Sequence, residues 1–150
     1  MNYKITVNNE EETEILAQNI ESYHFKGMVI CLNGDLGSGK TVFTKAFARS
    51  LEINDNITSP TFNIIKEYND GQLPLYHMDV YRLDGKTSEI DFDDYFYGDG
   101  VTIIEWAELI SDILPDERLD IEFKVLNENS RSLKLIPHGK KYEEILESVI

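Results

Sequence analysis

Cysteine, long apolar runs and basic residues are all scarce in this chain of 150 residues. Its one cysteine, Cys31, cannot form a disulfide within the chain and lies in an apolar run, where a buried structural role is favoured over a reactive one. No apolar run approaches the roughly 20 residues that span a bilayer, and no signal peptide opens the chain. We therefore expect a protein of the reducing cytoplasm, without a membrane segment.

Basic residues number 14 against 28 acidic ones, which gives a formal net charge of −14. Such a surface repels the phosphates of nucleic acid and argues against a helicase or a protein that binds RNA by itself. The charge is densest from Asp84 to Asp99, where aromatic residues are interleaved with the acids. This segment predicts either a short acidic helix with its aromatic side in the core or a docking surface for a basic partner.

One octapeptide matches the phosphate-binding P-loop pattern G-x-x-x-x-G-K-[ST]: Gly34, Asp35, Leu36, Gly37, Ser38, Gly39, Lys40 and Thr41. The glycines let backbone N–H groups turn toward a β-phosphate, Lys40 adds a positive charge, and the Thr41 hydroxyl suits Mg²⁺. The helix that continues through Val42 points its positive end at the anion. An apolar run at 28–32 predicts the strand before the loop, and helical spacing at 42–51 predicts the helix after it. This is the context that the motif requires, so the sequence predicts a site for ATP or ADP with Mg²⁺.

Apolar patterning along the rest of the chain predicts a mixed sheet with helices. A helix from about Glu10 to Tyr23, capped by Asn8 or Asn9, should turn Ile15, Leu16, Asn19 and Ile20 inward. Further strands are predicted at 3–7, 61–68, 73–81, 101–104, 119–126 and 132–136, and a last helix from about 141. The second and third of these should form a hairpin across the turn at 69–71. The predicted fold is α/β: a P-loop NTPase-like mixed sheet flanked by helices, in a single compact domain over residues 1–150.

Two apolar strands end in a carboxylate, and phosphoryl chemistry needs an acid for Mg²⁺ and a group that positions the nucleophile. The strand at 101–104 is followed by Glu105, and the run at 75–78 is followed by Asp79. Both acids should emerge at the sheet edge that carries the P-loop. One of the two acids should bind Mg²⁺, directly or through water, and the other should orient the attacking water. Glu105 is favoured over Asp79 for the metal, and Lys40 is the third catalytic residue. The sequence leaves two roles open for His77, a buried structural imidazole or a catalytic one.

Other P-loop functions have less support in the sequence. Guanine specificity calls for an Asn-Lys-x-Asp segment, and none exists. A small-molecule kinase needs lid arginines, and the chain has four arginines with no lid-like insertion that carries a pair of them. The residues from Thr58 to Thr61 lie where P-loop switches sense the γ-phosphate, although a plain turn also fits this pattern.

Four ordered motifs closely resemble the TsaE (YjeE) family, whose members are the ATPase subunit in bacterial threonylcarbamoyladenosine modification of tRNA. The resemblance extends from the Thr13 region to about Gly139. The chain departs mildly from the family at Ser38, where Ala is commonest, and at Ala107, where Pro is common. The motifs are the P-loop at 34–41, Thr58-Ser59-Pro60-Thr61-Phe62, His77-Met78-Asp79-Val80-Tyr81-Arg82-Leu83 and Ile104-Glu105-Trp106-Ala107-Glu108.

The resemblance implies an ATPase that is weak alone and acts with a TsaB–TsaD pair, in which TsaD transfers the threonylcarbamoyl group and ATP hydrolysis resets the complex. Stable binding of tRNA by this subunit alone is not expected. An ATP-dependent docking subunit with little catalysis remains the alternative, beside the small-molecule kinase. Carried over by position, the P-loop and Glu105 serve phosphate and Mg²⁺, Asp79 joins the active site, and residues 58–61 form the switch. Further nucleotide contacts are implied at Thr13, Thr61, Trp106 and Arg131.

Overall fold

The computed structural model describes residues 2–57, 65–82 and 90–150. Within these residues, seven strands form one sheet with four α-helices packed around it. The strands are β1 Tyr3–Val7, β2 Val29–Gly34, β3 Ile65–Tyr68, β4 Leu75–Asp79, β5 Val101–Glu105, β6 Arg118–Val125 and β7 Arg131–His138. The helices are α1 Glu10–Glu21, α2 Lys40–Ser50, α3 Phe92–Phe96 and α4 Lys140–Val149, and short 3-10 turns cover Val80–Arg82 and Ala107–Ile110.

The strand order β1-β7-β6-β2-β5-β4-β3 places the P-loop strand β2 at the centre of the sheet. The strands β6, β2, β5 and β4 are parallel, whereas β7 and β1 on one side and β3 on the other pair antiparallel. The predicted α/β class, the mixed sheet and the hairpin of β3 with β4 are therefore confirmed. Because β2, β4 and β5 are parallel, their carboxyl ends lie at one edge, and β2 leads there into the P-loop.

The central strand β2 and its neighbour β5 are mostly apolar because helices and turns cover both faces of the sheet. Residues 29–32 of β2 are at most 1% exposed, and all five residues of β5 are buried. Full burial of side chains of this size stabilises the fold by about 1.5–3 kcal/mol each. The two strands that lead into the predicted site are therefore anchored in the core.

The two faces of the sheet are covered by different elements. Helices α1, α2 and α4 pack on one face through apolar side chains such as Leu16, Phe43 and Leu146. Helix α3 and the 3-10 turn at 107–110 pack on the other face through Phe92, Phe96 and Ile110. None of the described helices has the length and apolar character needed to cross a membrane.

Helix α1 begins and ends close to the predicted positions, but its buried side differs from the prediction. Asn9 caps the helix by accepting a hydrogen bond from the N–H of Glu12 at 2.9 Å. Leu16 and Ile20 are buried as predicted, whereas Ile15 is 47% exposed and Asn19 is also exposed. The prediction was wrong at these two positions because they lie on the flanks of the helix, away from the stripe that contacts the sheet. That stripe consists of Thr13, Leu16, Ala17, Ile20 and Glu21.

Helix α3 confirms the prediction of a short acidic helix with an aromatic inner side, for the part of the acidic segment that the structure describes. Phe92 and Phe96 are 4% and 2% exposed, and their ring centroids lie 5.7 Å apart. Asp93 and Asp94 point away from the core and are exposed. Residues 83–89 of the segment lie outside the described residues.

Cys31 is fully buried on the α3 face of the sheet. Burial, with a smaller contribution from nearby Asp120, raises the pKa of its thiol well above the usual value. A thiol that resists ionisation is a poor nucleophile. The prediction of a buried structural cysteine is confirmed.

Candidate nucleotide site

A cavity of about 460 Å³ opens at the carboxyl ends of the parallel strands. The P-loop and the start of α2 form its floor, β4 and β5 end beside it, and the start of α1 and the β6–β7 turn complete its wall. The predicted site residues that line it are Thr13, Leu36, Gly37, Gly39, Lys40, Thr41, Val42, Asp79, Glu105, Trp106 and Arg131. Residues from five separate parts of the chain therefore meet in one cavity.

Three predicted P-loop residues support the loop instead of lining the cavity. A Cβ on Gly34, whose φ is +148°, would come within 2.7 Å of the Phe123 carbonyl oxygen, so a side chain cannot be accommodated there. Asp35 accepts a hydrogen bond from the Ser38 N–H at 3.2 Å through its carbonyl oxygen. Ser38 is 1% exposed, and its hydroxyl has no hydrogen-bond partner within the described part of the chain. Thr61 and the predicted switch at 58–61 lie outside the described residues.

Helix α2 presents an open amino end to the cavity. Its N-cap is Gly39 with φ +112°, so no side chain caps the first turn. The first N–H groups of an α-helix have no partner within the helix, and together with the helix dipole they favour an anion. Lys40 and Thr41 begin the helix and line the cavity, which gives the loop the arrangement that a polyphosphate needs.

The side chain of Lys40 is 4% exposed and already held by two groups. Its ammonium donates a hydrogen bond to the Gly34 carbonyl oxygen at 2.5 Å, and it lies 3.7 Å from the centroid of the Trp106 ring. Burial lowers the pKa of Lys40, and four nearby carboxylates oppose this shift: Glu105, Glu108, Asp79 and Asp35. The charge of the lysine is thus opposed by several acids, of which Asp79 and Glu105 line the cavity.

The two predicted catalytic acids lie side by side at the ends of their strands. Asp79 of β4 is the register partner of Glu105 in β5, and Glu105 is in turn the partner of Leu32 in β2. Asp79 accepts a hydrogen bond from the N–H of Tyr81 at 3.1 Å. Glu105 is 5% exposed, and its Oε2 lies 2.7 Å from Nε2 of the fully buried His77. The prediction that both acids emerge beside the P-loop is confirmed, and His77 is buried in contact with one of them.

Trp106 has a backbone conformation that is rare for a large side chain. Its φ of +63° and ψ of +35° lie in the left-handed region, and its N–H donates to the Leu32 carbonyl oxygen at 3.0 Å. Its ring packs against Lys40 and lies 4.9 Å from the centroid of the Tyr81 ring. A non-glycine residue in this region is held there by its surroundings, and here the result is an aromatic wall on the P-loop side of the cavity.

The opposite ends of the chain supply the remaining wall. Thr13 is on the first helix and Arg131 begins the last strand, and pairing of β1 with β7 brings them together. The Arg131 guanidinium donates to the carbonyl oxygens of Gly37 at 3.2 Å and Asn127 at 2.8 Å. It therefore ties the β6–β7 turn to the P-loop.

Comparison with known proteins decides the family. The family model described as "Threonylcarbamoyl adenosine biosynthesis protein TsaE" matches residues 7–133. The chain belongs to the TsaE family. A relative from Bacillus subtilis (strain 168), named tRNA threonylcarbamoyladenosine biosynthesis protein TsaE, is 48% identical over 94% of this chain and 89% of its own length. A relative of the same name from Rickettsia felis is 34% identical over 91% of this chain and 81% of its own length.

A solved structure agrees with this family. The crystal structure of YdiB from Bacillus subtilis superimposes with a TM-score of 0.85 at 44% sequence identity, and the match covers 99% of this chain and 94% of that one. The fold described above is therefore shared with a solved protein.

The TsaE motifs did not indicate four of the residues that line the cavity: Asn9, Glu10, Glu128 and Asn129. Asn9 and Glu10 begin helix α1, and Glu128 and Asn129 form the turn between β6 and β7. Their sequence signals are those of a helix cap and a turn, which occur in most proteins and predict no ligand. Their proximity to the P-loop follows only from strand order.

The donor set of this TsaE site fits Mg²⁺ that is shared with a phosphate. Mg²⁺ prefers oxygen ligands and is usually held by one or two protein groups together with phosphates and water. Within residues 2–57, 65–82 and 90–150, no cluster of three His, Cys, Asp or Glu side chains could hold a metal ion by itself. Thr41 and Glu105 both line the cavity, with a hydroxyl and a carboxylate respectively, so these two residues would hold the ion.

Proposed function

We propose that this chain is a Mg²⁺-dependent ATPase that converts ATP and water to ADP and phosphate during threonylcarbamoyladenosine modification of tRNA. One observation carries the ATPase part: a single cavity contains the P-loop lysine, the open amino end of α2 and two strand-end carboxylates. The lysine and the helix end suit a polyphosphate, and the carboxylates suit hydrolysis. Membership of the TsaE family supports the tRNA-modification part.

The proposed roles follow from the position of each side chain. Lys40 and the N–H groups of the first turn of α2 stabilise the negative charge on the β- and γ-phosphates. Thr41 and Glu105 would hold Mg²⁺, which supplies charge neutralisation on the phosphate oxygens when it is bound. Asp79, beside Glu105 on the next strand, orients the attacking water.

Residues from outside the P-loop complete the proposed nucleotide contacts. Thr13 and Arg131 line the same cavity as the P-loop, on the side formed by α1 and the β6–β7 turn. Trp106 lies against Lys40, where it would sense occupancy of the phosphate site. Thr61 remains a proposed contact on the family resemblance.

We propose that the TsaB–TsaD pair is the partner and that it carries the tRNA. The net charge of −14 opposes direct binding to a phosphate backbone, so basic surfaces for tRNA belong on the partners. Asp91 just before α3, Asp94 on its exposed side and half-buried Tyr95 offer an acidic and aromatic docking surface. These residues do not line the cavity.

The experiment is a phosphate-release assay on the purified chain with ATP and Mg²⁺, alone and with TsaB–TsaD. We expect slow hydrolysis alone, a faster rate with the pair, and an association that requires ATP and weakens with salt. Tight tRNA binding by the chain alone, or no ATP-dependent association with the pair, would contradict the proposal. Full activity on a small-molecule acceptor without the pair would support a kinase instead.

A further inference from the structure

His77 is buried beneath the candidate site and contacts one of its acids. It is the central residue of β4 and is 0% exposed. Its register partner on β5 is Ile103, and Glu105 follows two positions later on the same side of the sheet. The imidazole therefore lies one step deeper in the sheet than Glu105, and its Nε2 reaches Oε2 of that carboxylate at 2.7 Å.

Packing does not account for this pair. A buried carboxylate and a buried imidazole each lose hydration, and apolar side chains of similar volume often stabilise a core equally well or better. The Nδ1 atom of His77 is buried and has no hydrogen-bond partner within the described part of the chain. Among the described residues, one ring nitrogen is thus committed to Glu105 and the other has no partner. A purely structural histidine would be expected to satisfy both nitrogens.

The hydrogen bonding assigns the direction of the contact. A carboxylate accepts hydrogen bonds, so Nε2 of His77 is the donor to Glu105. In the tautomer that carries its proton on Nε2, Nδ1 is an acceptor and not an N–H that needs a partner. The donor N–H of His77 consequently restrains one oxygen of Glu105, Oε2, and leaves Oε1 as the oxygen available to the cavity.

Restraint of this carboxylate matters because of its neighbours. Asp79 lies directly opposite Glu105 in the register, and like charges in that position repel each other. Lys40 is attracted to the same carboxylate. Without the N–H of His77, only the repulsion from Asp79 and the attraction to Lys40 would act on the orientation of this carboxylate.

We propose that His77 is a positioning residue that holds Oε2 of Glu105 and so orients Oε1 for Mg²⁺. The proposal rests on the proposed function, because it assigns Glu105 to the metal. A hydrogen bond of this kind to a metal-binding carboxylate typically contributes 10- to 100-fold in metal affinity. Because this hydrogen bond would act on the affinity for Mg²⁺, binding of a nucleotide without Mg²⁺ should not depend on His77.

Three substitutions separate the donor from the bulk of the ring. His77→Gln places an amide N–H near the position of Nε2, within reach of Glu105. His77→Asn carries the same amide on a shorter side chain, near the position of Nδ1, and should not reach. His77→Leu fills the position with an apolar side chain and removes the donor.

The experiment measures ADP binding by calorimetry with Mg²⁺ and with a chelator, and records thermal unfolding of each variant. Mg²⁺ should raise the ADP affinity of the wild type, and we expect this increase to be about 10- to 100-fold smaller in His77→Asn and His77→Leu. The ADP affinity of both variants in the presence of chelator should stay within about threefold of the wild-type value. His77→Gln should keep most of the increase. Steady-state turnover should follow the same order.

The outcomes are distinct. If His77→Gln and His77→Asn both keep the increase in ADP affinity that Mg²⁺ provides, or both lose it, the proposal is overturned. This holds even if His77→Leu does not fold. A loss that is the same with and without Mg²⁺ would also overturn it, since that result describes a purely structural histidine. If the wild-type protein binds no ADP, the proposed ATPase function itself fails. If the wild type binds ADP with Mg²⁺ and all three variants keep this dependence, only the role of His77 fails.

Discussion

Replacement of Lys40 by alanine tests the phosphate site directly. In the free protein the ammonium of Lys40 is hydrogen-bonded to the Gly34 carbonyl oxygen and lies against the Trp106 ring. A bound polyphosphate would gain this ammonium as a charge-assisted partner. Lys40→Ala removes that partner and leaves the backbone N–H groups of α2 as the remaining phosphate donors.

Two effects set the size of the loss. A charge-assisted hydrogen bond contributes about 1.5–3 kcal/mol, which corresponds to roughly a 10- to 100-fold change in the dissociation constant. Lys40 would give up its contact with Gly34 when it binds phosphate, so its net contribution to binding should lie toward the lower end of this energy range. Loss of the lysine charge also leaves the nearby carboxylates, above all Glu105, without a neutralising partner. Their repulsion of a phosphate increases the loss of binding free energy. We therefore expect ADP and ATP affinity to fall by about 10- to 100-fold.

Calorimetric titration with ADP and Mg²⁺ measures this loss. Lys45→Ala is the matched control because Lys45 lies on the same helix, is exposed and does not line the cavity. Both variants should keep the circular dichroism spectrum of the wild type, and the control should keep its affinity. Unchanged ADP affinity in a folded Lys40→Ala variant would refute the assignment of the P-loop as the nucleotide site.

Three further predictions test the catalytic acids, the aromatic wall and the fold. Glu105→Gln and Asp79→Asn should each lower ATP turnover by about 10²–10³-fold in a phosphate-release assay and weaken ADP binding less, because each removes charge needed in the transition state. Near-wild-type turnover in both would place the acids elsewhere. Trp106, the one tryptophan of the chain, should change its fluorescence on addition of ADP or ATP with Mg²⁺, because phosphate competes for the Lys40 ammonium beneath its ring. A silent emission spectrum at saturating nucleotide would contradict this. Tyr142→Phe should lower the free energy of unfolding in a urea titration by about 1–3 kcal/mol, because the Val29 N–H loses its partner at 2.9 Å. Burial raises the pKa of Tyr142 to about 12 from 10.0, so wild-type stability should fall as pH rises between these values; a hydroxyl that titrates normally would show no such loss.

Most of the secondary structure and the core of the site could be predicted from local sequence. The P-loop, its strand and its helix occupy one continuous segment, and each has a pattern that a short window contains. Asp79 and Glu105 could be predicted as neighbours because each ends an apolar run, and parallel strands bring their carboxyl ends to one edge. The hairpin of β3 and β4 followed from the turn at 69–71.

The remaining features of the site depend on contacts between residues far apart in the chain. Pairing of β1 with β7 brings Thr13 and Arg131 to the same cavity, and the motifs that suggested them contain no information on strand order. The buried side of α1 was predicted with errors at Ile15 and Asn19, because helical periodicity alone leaves the direction of the sheet open.

The alternation of β4 left two possibilities open for His77, a structural imidazole or a catalytic one. The parallel register of β4 with β5 puts Glu105 within hydrogen-bond reach of it, and a register is a property of two strands together. The left-handed backbone of Trp106 has the same kind of origin, since its N–H is held by Leu32 on another strand and its ring by Lys40. Local sequence therefore specifies which groups the site contains, whereas strand order and register bring these groups within reach of one another.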